Sequence, residues 1–112
     1  MKSRTYTVAH MRLPMNAAAV ALSALQIAKK DGALTAHGKK LLDSVKSALD
    51  SVKPKKDKGI VIEADETALE ELAVGVAAYI DQCEADGVSA KGSKPIVRKV
   101  TKALGRFGQV VH

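Results

Sequence analysis

Aromatic residues are nearly missing from this chain of 112 residues: they make up 3%, as Tyr6, Tyr79 and Phe107, and there is no tryptophan. Stacking platforms for single-stranded bases need several rings, and this chain barely has them. A single cysteine, Cys83, excludes an internal disulfide framework. It falls on an apolar helical stripe, so a buried thiol acting as a small hydrophobe is expected. Its neighbours Asp81, Glu84 and Asp86 are acids, whereas a reactive thiol wants cations beside it. No run approaches the roughly 18 apolar residues of a membrane span, so no membrane partner is expected.

Catalytic and metal-binding patterns are missing as well. His10, His37, His112 and Cys83 have no ligand spacing, such as two histidines four apart or paired cysteines. No glycine-rich phosphate loop follows a strand, and no serine sits in a nucleophile elbow. Neither catalytic residues, metal nor cofactor are therefore expected, and the chain reads as a non-enzyme. Internal repeats and low-complexity tracts are absent too.

What is present suffices for a core, since 46% of the residues are hydrophobic. The organising stretch is 65–86. Leu69, Leu72, Val76, Tyr79, Ile80 and Cys83 recur at steps of three and four, which predicts an amphipathic helix. Asp65 caps it, or Thr67 does with Glu70 three residues on, and Gly87 stops it. Ala73, Val74, Ala77 and Ala78 widen the stripe, so contacts on two sides are expected. Gly75 costs about 1 kcal/mol against alanine in a helix interior, and a neighbour packing very close would justify it.

The other elements follow from the same signals. Residues 5–13 predict a strand closed by Pro14, with His10 and Arg12 on a wet face. Residues 16–30 predict a helix capped by Asn16 and closed by Gly32. Its Ala- and Leu-rich run after a basic start resembles a signal peptide or a transit peptide, but Asn16, Ser23 and Gln26 interrupt it and Lys29-Lys30-Asp31 occupies the cleavage position. A structural helix and a cytoplasmic protein are expected. Residues 35–52 predict a second helix capped by Thr35, joined by a short link as an αα-hairpin. Ile27-Ala28, Gly32 and Leu41 resemble helix-turn-helix spacing, but Gly38 stands where an apolar residue should anchor the second helix. The segment around His37 is similar to the distal-histidine segment of globins, with no second histidine at a suitable distance. Ile60-Val61-Ile62 predicts a short buried strand, and Ser93 with Pro95 opens a last helix. The expected fold is α+β: a helix-dominated single domain over residues 1–112, in β-α-α-β-α-α order with a small two-stranded sheet. A basic loop at 53–59 and a polar loop at 87–94 interrupt it.

Charge is segregated along the chain. Residues 1–58 carry 12 basic and 4 acidic side chains, residues 59–86 carry 8 acidic and no basic ones, and residues 87–112 carry 6 basic and no acidic ones, for a net +6. The candidate contact surface is Lys94, Arg98, Lys99, Lys102 and Arg106 on the last helix, extended by Lys53, Lys55, Lys56 and Lys58 of the basic loop. Such a surface suits an acidic protein surface or a nucleic-acid-containing assembly. The leading expectation is a non-enzymatic binding or regulatory protein: an inhibitor, adaptor or accessory subunit. The alternatives are a sequence-independent nucleic-acid binder and a self-assembling homo-oligomer in which the acidic helix of one copy meets the basic helix of another. The blandest reading is a solvated basic face that pairs internally with Glu66, Glu70 and Glu71.

Overall fold

The computed structural model describes residues 9–52, 59–89 and 93–107, the side chains of Arg106 and Phe107 excepted. Strand β1 (Ala9–Pro14) leads into helices α1 (Met15–Lys30) and α2 (Ala36–Ser51). Strand β2 (Gly59–Ala64) then precedes helices α3 (Glu66–Ala85) and α4 (Ser93–Phe107). The architecture is the expected one, helix-dominated with a two-stranded antiparallel sheet.

Alternation sorts the sheet into two faces. Met11 and Leu13 of β1 and Ile60, Ile62 and Ala64 of β2 turn inward and are buried. His10 and Arg12 turn outward with Val61 and Glu63, and the register pairs His10 with Glu63 and Arg12 with Val61. The fully buried β2 expected from its apolar run is therefore corrected at its centre: Val61 is 63% exposed. A two-stranded sheet covered on one side can bury only every second residue.

The helices cover the inner face. The most extensive helix contact is α1 against α3. Ala17, Ala18, Ala21, Ala24 and Ala28 are buried on α1, together with Val20 and Leu25. Small side chains let the axes approach, and Gly75 marks a point of close approach. A β-carbon there would lie 2.5 Å from the Ala24 carbonyl oxygen, which accounts for a glycine inside a helix. Of the residues expected to widen the α3 stripe, Val74 is 60% exposed and Ala77 is also on the surface.

Helix ends show which local signals operate. Asp65 caps α3, its Oδ1 accepting from Ala68 N at 2.8 Å. Gly32 and Gly87 take φ of +73° and +69° after α1 and α3, the left-handed stops expected of them. Asn16 does not cap α1. The helix begins one residue earlier, after Pro14, and Asn16 Oδ1 accepts from the adjacent Ala17 N. Thr35 stands at the start of α2, but its side chain makes no cap there.

Candidate functional site

The Thr35 hydroxyl is engaged elsewhere. It donates to Glu71 Oε2 of α3 at 2.7 Å, while the Thr35 N–H donates to Glu71 Oε1 at 2.5 Å. A carboxylate from another helix thus closes the N-terminus of α2, where the helix dipole favours an anion. Gly38 makes room for it, because a β-carbon there would meet Glu71 Oε1 at 2.5 Å and Leu34 Cδ2 at 2.6 Å. The glycine that broke the helix-turn-helix spacing has this steric role. Beside it, His37 Nδ1 donates to Asp65 Oδ2 at 2.7 Å at the surface. The Ala68 N–H, and less strongly His37, hold the Asp65 carboxyl below its ordinary value.

These contacts decide how the acids of α3 are used. Among the described residues the ion pairs are His37–Asp65 and His10–Glu63, the latter 2.8 Å across the outer face of the sheet. No acid of α3 reaches a base of α4 among them. The described cations of α4 stay available: Lys94, Arg98 and Lys102 are exposed and Lys99 is half-buried. Arg106 lies on the same helix, its side chain outside the described set, and Lys53, Lys55, Lys56 and Lys58 also lie outside the described residues.

Packing adds a cation that the sequence pattern did not single out. Helix α4 lies against β1, and a shallow depression of about 160 Å³ between them is lined by His10, Met11, Arg12, Lys99, Lys102 and Ala103. Arg12 was legible only as the wet side of a strand. Neighbourhood to Lys99 and Lys102, which are some ninety residues further on, is a product of the fold. The result is a basic surface that runs along α4 and turns onto the outer face of β1.

No protein-family model, curated protein or solved structure matches this chain. The functional reading therefore rests on surface chemistry.

A cleft of about 420 Å³ between α1 and α3 is lined by Ser23, Gln26, Lys30, Tyr79, Gln82 and Cys83 among others. Cys83 is half-buried there, with less cover than the buried thiol expected. A hydrogen bond with Cys83, aided by burial, pushes the Tyr79 hydroxyl above its ordinary value. A groove between α3 and α4 is apolar except for Thr101, with a volume of about 250 Å³. Among the described residues no three His, Cys, Asp or Glu side chains gather as metal ligands would. No described helix is long and apolar enough to cross a membrane.

Proposed function

We propose that this protein is a non-enzymatic binding protein that engages an anionic partner through the α4–β1 surface, as a regulator or accessory subunit of a larger assembly. One observation carries the reading: Arg12, Lys99 and Lys102 converge from two elements on one depression, and no described carboxylate neutralises them. Like charges held together raise the local potential and attract anions, and the carboxylate beside the depression, Glu63, is bonded to His10. Lys94 and Arg98 extend that field along the helix.

The leading partner is an acidic protein surface. Direct, sequence-independent binding to nucleic-acid phosphates is the second reading, since the planar guanidinium of Arg12 suits phosphate oxygens as well as carboxylates.

A salt titration separates them. Mixed-sequence DNA and RNA are titrated with the protein and with Arg12→Glu/Lys99→Glu. The second reading expects binding that weakens log-linearly with salt and is lost in the double variant. The leading reading expects little nucleic-acid binding at low salt, with a specific protein retained from nuclease-treated lysate by the wild type and released by the double variant. Indifference of both readouts to the double variant removes the α4–β1 surface as a contact site.

A further inference from the structure

The groove between α3 and α4 has an apolar floor and two banks of opposite charge. Its floor includes Val76, Ala77 and Ile80 of α3 and Val97, Val100 and Leu104 of α4. Val97 is 42% exposed there, so the floor is not sealed by its own walls. At 3.6 residues per turn, the positions on the solvent side of the α3 wall are Glu70, three before Ala73, and Asp81, four after Ala77. The same step on α4 gives Lys94, three before Val97, and Arg98, three before Thr101. All four are exposed, and none is ion-paired to another described residue. Every charged residue of α3 is acidic, and every charged residue of α4 is basic.

We propose that this groove binds a second copy of the same chain, about a two-fold axis running along the groove. That axis sets α3 of each copy on α4 of the other. The acidic bank then faces the basic bank twice, in an isologous interface. An axis across the groove would instead set α3 on α3 and α4 on α4, matching like charges. Charge therefore selects one of the two symmetric dockings, and removal of Val97, Ile80 and Leu104 from water supplies attraction. A partner with uniform charge would satisfy one bank and repel the other. Only a partner carrying both signs side by side fits, and this chain carries them.

The self-docking surface shares Lys94 and Arg98 with the basic surface but leaves out the depression at its centre. Arg12 and Lys99 lie on the β1 side of α4, away from the groove, so two joined copies keep both depressions open.

The test is the solution mass as a function of concentration at low salt, by sedimentation equilibrium. The wild type is expected to move from 11.8 kDa toward twice that value as concentration rises. Two variants make the result specific: Glu70→Lys/Asp81→Lys has two basic banks, and Lys94→Glu/Arg98→Glu has two acidic banks. Each alone is expected to self-associate at least about ten-fold more weakly. Mixed in equal amounts, they are expected to form a heterodimer. All four positions are exposed, and circular dichroism confirms that each variant is folded before the mass is read. A wild type that stays monomeric at every concentration overturns the proposal. So does self-association of both variants at wild-type strength, or failure of the mixed variants to associate. Capture of a foreign amphipathic helix in the groove, with a monomeric wild type, also overturns it.

Discussion

Gly75 of α3 lies so close to Ala24 of α1 that a β-carbon on the glycine would fall 2.5 Å from the alanine's carbonyl oxygen. Backbone cannot swing aside as a flexible side chain would. Gly75→Ala is therefore expected to lower stability by about 1–3 kcal/mol through overpacking, although alanine is the better helix former. Gly105 is the internal control. It sits in α4 with open space where its β-carbon would be, so Gly105→Ala should stabilise by about 0.5–1 kcal/mol. Urea midpoints of the two variants should move in opposite directions. A raised midpoint for Gly75→Ala would mean that α1 and α3 do not approach this closely.

Glu71 binds both the N–H and the hydroxyl of Thr35. Glu71→Ala is expected to destabilise by about 1 kcal/mol, the usual worth of a helix cap. A double-mutant cycle with Thr35→Ala distinguishes this arrangement from a local cap. If Thr35 capped its own helix, the two changes would add. Shared bonds should instead give a coupling of about 0.5 kcal/mol or more.

Asp65 predicts a pH effect with a definite sign. Its folded carboxyl is held below the ordinary value of 3.8, chiefly by the Ala68 N–H. A depressed carboxyl contributes stability that is present above the unfolded value and lost as the pH falls toward the folded one. Asp65→Asn keeps a capping oxygen but cannot titrate. Between about pH 5 and 2, its urea midpoint should fall less steeply than that of the wild type. Parallel curves would show that Asp65 is not a source of the acid sensitivity.

Should the nucleic-acid reading hold, single neutralisations will map the surface. Arg12→Gln, Lys99→Gln and Lys102→Gln should each reduce the slope of log affinity against log salt by about 1 and weaken all sequences equally. Lys39→Gln, on exposed α2 and outside the depression, should leave the slope unchanged. An equal response from Lys39→Gln would signify attraction by net charge alone.

The fold was legible where the signal was local and repeated. The six-element order, the Asp65 cap and the Gly32 and Gly87 stops depend on residues within a turn of one another. The cationic row of α4 was equally plain. Glu71, Gly38 and Arg12 were not legible in their roles, because each acts on a residue far away in the chain. Glu71 looked like one more wet acid on a helix, and its use at Thr35 depends on how α2 crosses α3. Val61 departs from the expected buried strand because β-branched neighbours on both sides disguise its outward alternation. Asn16 sat one residue too late, since Pro14 ended the strand and Met15 had already turned into the helix.

The alanine-lined inner face of α1 has a consequence for how this chain can vary. In a core of leucines most substitutions hollow out the interior, and neighbours relax into the gap. Here Ala17, Ala18, Ala21, Ala24 and Ala28 leave little to remove, so nearly every replacement must add bulk. A saturation scan of α1 should be lopsided, with serine and glycine tolerated inward and anything larger rejected. Drift on this helix is confined to its outer positions, Asn16, Ala19, Gln26, Lys29 and Lys30.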